Sequence, residues 1–203
     1  MSPDPTPRGF LGTLALAALL SSALPALAQT QPPKAQLQAA GSEIVFTTRQ
    51  MGVPVEGRFT RFAADVALDP RQPAAGRVAF TIETGSARFG SAELDAEVPK
   101  PTWLSTALFP RATFESTAIR AAGPGRFEVA GRLSIKGATQ DITVPVQLAQ
   151  AGSGASLTHT ATGNFTLRRL DFRIGEGEWT DTSLLANDVA VRFRLVLTGL
   201  PPM

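Results

Sequence analysis

The sequence predicts an all-β protein, an antiparallel barrel of about eight strands with roughly one or two short helices over residues 91–108. Three observations carry this reading. Apolar and polar residues alternate with a period of two through most of the chain after Ser42, so each segment has a single apolar face. The segments are joined by short runs rich in Gly, Pro, Asp and Ser, which makes sequence neighbours antiparallel. The strands reach about ten residues, one changes parity midway, and Gly57, Gly131 and Gly163 sit inside strands, where glycines and bulges bend a sheet. Alternation alone also fits a two-sheet sandwich. Length, bulge and glycine placement favour the closed barrel.

Taken in order, Arg8 precedes an apolar run from Phe10 to Leu20 and the small-residue site Ala26-Leu27-Ala28. This reads as a signal peptide over residues 1–28, cut before Gln29, because the run is shorter than the roughly 18 to 20 apolar residues a membrane span needs. The mature product is therefore expected in the periplasm. Residues 29–41, rich in Gln, Pro and Ala, read as a flexible leader, and residues 42–203 as one β-barrel domain.

Glu43 to Arg49 is the first predicted strand, and Gly52 and Pro54 mark the turn after it. Val55, Gly57 and Phe59 alternate, but the next apolar set is Phe62, Ala64, Val66 and Leu68. One extra residue restores the same face to the core, so this is read as a bulge in a long bent strand. Val78, Phe80 and Ile82 form the apolar face of the next strand. Glu93, Leu94, Glu97 and Val98 fall at near-helical spacing until Pro99 and Pro101 interrupt it.

Phe109 to Ala121 leads through Gly123-Pro124-Gly125 into the cleanest hairpin of the chain. There Phe127, Val129, Leu133 and Ile135 share one face, and Arg126, Glu128, Arg132, Ser134 and Lys136 the other. Gly137 turns the chain, and Ile142, Val144, Val146 and Leu148 repeat the apolar face. Two further one-faced strands follow, one through His159, Ala161, Gly163, Phe165 and Leu167, the other through Val189, Val191, Phe193, Leu195 and Leu197.

Composition removes several function classes. The chain has no Cys, so disulfides, thiol nucleophiles and thiolate metal sites are excluded. Its net charge of +2 is spread among acidic residues, without the basic run or aromatic series of a nucleic-acid binder. With no Tyr and one His, an enzyme would have to draw its acid or base from Asp or Glu. His159 reads as a packed core or rim histidine. Arg168, Arg169 and Arg173 around Asp171 read as a surface ion network in preference to an anion grip. Glu176 and Glu178 read as solvated loop charges, and Trp103 and Trp179 fit either a cap on a bound chain or a plug in the barrel end.

Four segments also resemble the YceI-like family: Val55-Glu56-Gly57-Arg58-Phe59-Thr60-Arg61-Phe62, Phe109-Pro110-Arg111-Ala112-Thr113-Phe114-Glu115-Ser116, Gly131-Arg132-Leu133-Ser134-Ile135-Lys136-Gly137-Ala138-Thr139, and Arg169-Leu170-Asp171-Phe172. The resemblance implies an exported lipocalin-like barrel that holds a polyisoprenoid chain, such as a quinone tail. Two positions depart from the family pattern. Residues 93–109 lack its Asp-x-His-Leu and paired Phe, and Arg173 stands where a Gly is usual.

The expectation is thus a non-enzymatic binding protein with an apolar isoprenoid-type ligand, either a quinone or a polyisoprenoid lipid, and no required cofactor. Transient contact with a membrane or membrane protein would load it. Phe59, Phe80, Ile82, Trp103, Phe114, Phe127, Val129, Leu133, Val144, Phe165 and Phe193 are the candidate cavity lining. The alternatives are a filled barrel that docks a membrane redox partner and a lipid-modifying enzyme.

Overall fold

A computed structural model of the chain describes residues 31–203. The expected signal peptide, residues 1–28, lies outside the described residues. Ten strands follow in order: β1 (Lys34–Gln50), β2 (Val53–Phe59), β3 (Phe62–Ala67), β4 (Arg77–Glu83), β5 (Ala87–Arg88), β6 (Arg111–Gly123), β7 (Arg126–Ile135), β8 (Ala138–Ala151), β9 (Thr158–Arg168) and β10 (Asp188–Thr198). One helix, α1 (Ala92–Glu97), falls inside the segment predicted to be helical. β2 continues into β3 as a single bent strand, and β5 is a two-residue addition beside β2. The remaining pairings run β1-β3-β4-β6-β7-β8-β9-β10 and return from β10 to β1, a closed antiparallel barrel of eight strands.

Three serine hydroxyls repair the ladder where it breaks. Between β2 and β3 the expected slip lies at Thr60 and Arg61, where the Arg61 N–H donates to Ser86 Oγ at 3.1 Å and the Thr60 N–H to the Ser86 carbonyl at 3.2 Å. Register also shifts in β1 between Gln38 and Glu43, where the Val196 N–H donates to Ser42 Oγ at 2.9 Å. A third shift, in β6 between Ser116 and Ala118, leaves Ser116 Oγ to accept the Val78 N–H at 2.8 Å. Each hydroxyl supplies an acceptor that the interrupted ladder withholds, so a bend costs no orphaned donor.

The glycines inside the strands have a steric cause. A Cβ on Gly57 would lie 2.4 Å from the Phe46 ring, one on Gly131 2.5 Å from Phe114, and one on Gly163 2.5 Å from Phe193. Each aromatic ring lies across a neighbouring strand's glycine, so the wall is covered by the ring of one strand over the bare backbone of the next.

Two expectations are corrected. The leader assigned to residues 29–41 is strand from Lys34 onward. Lys34 and Ala35 pair with β3, and Gln36 to Gln38 pair with β10. Gln and Ala are weak strand formers, but partners on both sides decide the matter, and Ala35 and Leu37 pack against the core. Lys136, placed on the polar face of its hairpin, is buried. Lys136 (φ 49°) and Gly137 (φ 77°) form the two-residue turn, so alternation ends at Ile135 and the lysine swings out of the pattern.

The core divides along the barrel axis. Val66, Leu68, Ile119, Phe127, Leu148, Leu195, Leu197 and Leu200 fill one end. The other end is hollow.

Candidate functional site

The hollow end holds a cavity of about 670 Å³, within the range of roughly 300–1,000 Å³ typical of small-molecule sites. All the residues expected to line it do so: Phe59, Phe80, Ile82, Trp103, Phe114, Phe127, Val129, Leu133, Val144, Phe165 and Phe193. Period-two alternation brings the strand residues together, because every strand turns the same parity inward once the sheet closes, and Trp103 joins them from the turns after α1. Ile44, Phe46 and Phe89 also line the wall and were not foreseen. Phe46 was legible in the alternation of the first strand, and its ring contacts Phe59 (centroids 5.0 Å) and Phe89 (5.3 Å). Phe89 lies beyond β5 in a segment without a period.

The mouth of the cavity is framed by α1, the turns that follow it and residues 169–187. These pieces are tied together by polar contacts that alternation does not encode. Arg169, only 2% exposed, is the centre of the tie. Its Nε donates to the Ala186 carbonyl at 2.9 Å, Nη1 to Ile174 at 2.9 Å and Gly175 at 3.1 Å, and Nη2 to Leu185 at 2.7 Å and to Trp179. Burial pulls its pKa below the usual arginine value. Five carbonyl oxygens answer its five N–H donors, which is what a buried guanidinium requires. The expected surface ion network therefore does not include Arg169, which folds a loop around itself.

Gly175 has positive φ (76°), and a Cβ there would lie 2.6 Å from Arg169 Nη1, so the loop closes only with glycine at this point. The Gly175 N–H donates to the Thr102 carbonyl at 2.8 Å, joining the loop to the segment after α1. Trp103 and Trp179, one from each segment, meet at 5.5 Å between ring centroids. Both line the cavity.

Beside this, Lys136 Nζ donates to the Arg173 carbonyl at 2.6 Å and to Glu176 at 2.8 Å. The hydrogen bond and charge of Lys136 hold the Glu176 carboxyl below its ordinary value. Glu176, read as a solvated loop charge, is thus the counter-ion of a buried ammonium. Arg173, where the family pattern has Gly, adopts the left-handed conformation (φ 55°). Its Nη2 donates to the Lys136 carbonyl at 3.3 Å.

His159 is fully buried, but it does not line the cavity. Its strand neighbours are Leu197 and Gln150, near the filled end, and neither ring nitrogen has a hydrogen-bond partner. Desolvation pulls its pKa below 6.5. A position at the filled end agrees with a packing role.

Comparison with known proteins places this geometry. The profile described as a YceI-like domain matches residues 36–197. A UPF0312 protein of Yersinia pestis is 32% identical over 166 residues, which cover 79% of this chain and 84% of the relative. Among solved structures, Burkholderia cenocepacia BcnA superposes with a TM-score of 0.74 at 38% identity, covering 79% of this chain and 99% of its own. A polyisoprenoid binding domain from Saccharophagus degradans superposes with a TM-score of 0.65 at 15% identity, covering 82% and 98%, a likeness of fold.

Proposed function

Because the chain belongs to the YceI-like family, we propose that it is a non-enzymatic binding protein that shelters an isoprenoid-type lipid, a polyisoprenoid or quinone tail, in its barrel. The observation that carries this reading is the cavity of about 670 Å³ walled by Phe, Val, Leu and Ile. Such a wall gains from burying an apolar chain, by about 0.8 kcal/mol for each CH₂ before ordering costs, and offers little to a polar one. The polyisoprenoid binding domain of like fold supports the same ligand class. A hollow bore speaks against the filled-barrel alternative. A lipid-modifying enzyme would have to draw its acid or base from Glu93, Glu97 or Glu178, the carboxylates of the lining.

The sequence pattern of Arg8, the apolar run Phe10 to Leu20 and Ala26-Leu27-Ala28 supports export to the periplasm, where a lipid must leave one bilayer and reach another. Exposed apolar side chains near the mouth support transient membrane contact. Met51 is 69% and Val53 63% exposed at the tip joining β1 and β2, and the Met51 N–H donates to the carbonyl of Leu184, itself partly exposed.

Solvent extraction and mass spectrometry of protein purified from the periplasm test the reading. A stoichiometric isoprenoid is expected. In titrations with a series of prenols, each five-carbon unit removed should weaken binding by at least about tenfold. Affinity independent of tail length would refute lipid sheltering.

A further inference from the structure

We infer that the barrel takes isoprenoids with an uncharged, oxygen-bearing head group and rejects phosphorylated ones; this rests on the lipid-binding reading above. Phe127, Leu148 and Leu197 make the floor of the cavity apolar, so the polar end of a bound chain sits at the mouth. A phosphate there would need cationic donors, and the lining contains a single basic residue, Arg169. All five of its N–H donors are already held by backbone carbonyls. Lys136, just outside, is held by Arg173 and Glu176.

Carboxylates, by contrast, are part of the lining. Glu93 and Glu178 stand exposed at the rim and make no ion pair among the described residues, while Glu97 is paired with Lys100. A phosphate or diphosphate would therefore meet like charge at the entrance of an apolar bore, with no free cation among the described residues of the lining to offset the repulsion. A hydroxyl or quinone carbonyl meets partners instead. Thr48 Oγ1 on the cavity wall is shielded from solvent and has no hydrogen-bond partner, so it can donate to a carbonyl or accept from a hydroxyl. Gln50 offers an amide on the same strand.

Calorimetric titration of the purified protein with farnesol and farnesyl diphosphate, which share one tail, tests the inference. Farnesol should bind at least about tenfold more tightly. Equal binding, or tighter binding of the diphosphate, overturns head-group selection and leaves lipid sheltering standing, whereas binding of neither overturns both. In the double variant Glu93→Gln, Glu178→Gln the diphosphate should gain about tenfold in affinity. No gain would refute the rim carboxylates as the cause. Thr48→Val, nearly isosteric, should weaken farnesol several-fold, and unaltered binding would remove Thr48 from the head-group site.

Discussion

At the filled end of the barrel, Ile119, Phe127, Leu148, Leu195 and Leu197 close the bore with apolar side chains from regular strands. At the mouth the bore is open, and the chain is held by Arg169, Lys136, Thr84 and Ser86 bound largely to backbone carbonyls. The first arrangement is non-directional and tolerates exchange of one hydrophobe for another of similar volume. The second is directional, and removing any donor strands acceptors in a dry place. A protein that must keep a cavity cannot pack its mouth with side chains. It holds the mouth open by tying loops to each other.

This contrast can be broken experimentally, beginning with the largest expected effect. Leu148→Ala should cost about 2–5 kcal/mol in urea unfolding, because this side chain is buried in the core cluster that floors the cavity. Ile142→Ala, on the same strand and face but only half-buried, should cost about 1 kcal/mol, since part of its surface already lacks contact. Equal costs would contradict a hollow mouth.

Arg169→Met should cost about 3 kcal/mol and loosen one end selectively. Hydrogen exchange should accelerate over residues 173–187 while the filled ends of β7 to β10 stay protected. Uniform acceleration would mean that the two ends are one cooperative unit.

The wall glycines separate ring clashes from backbone clashes. For Gly57→Ala, the three nearest atoms to the new Cβ all belong to the Phe46 ring, so Phe46→Leu should recover most of a loss of about 1–3 kcal/mol. Gly163→Ala also meets the Pro145 carbonyl at 2.5 Å, so Phe193→Leu should not rescue it. Double-mutant cycles read the difference directly.

The smallest expected effect lies at His159. Its folded pKa is depressed below 6.5, so the unfolded chain takes up the proton first as the pH falls. Stability present above about pH 6.5 therefore declines below it, by up to about 1.4 kcal/mol per pH unit. His159→Leu should flatten that slope and, by removing two unpaired nitrogens, add about 1 kcal/mol at neutral pH. An unchanged slope would assign the acid sensitivity elsewhere.

The same contrast governs what the sequence makes legible. Alternation is a statement about faces, so it reached the strand residues of the cavity wall such as Phe59, Phe114 and Phe193 but not Phe89, which lies beyond β5 in a segment without a period. Arg169 could not be read that way. In sequence it is one of several arginines beside an aspartate, and only the return of residues 174–186 around it shows that its partners are carbonyls. Lys136 was misplaced because a left-handed turn residue leaves the period, and Lys34 to Gln38 because pairing with β3 and β10 overrode weak propensity. The serines at the register shifts were equally silent, since a hydroxyl announces a repaired ladder only when the break is visible.

The tryptophan pair at the mouth has an optical consequence. The chain contains two tryptophans and no tyrosine, and the two indoles touch each other across the rim. Emission excited in the indole absorption band therefore originates wholly at the entrance. A lipid passing between the loops would alter the colour of that light, while rearrangement confined to the filled end would leave it dark to the detector. The molecule carries its own reporter at the door, with no competing fluorophore in the house behind it.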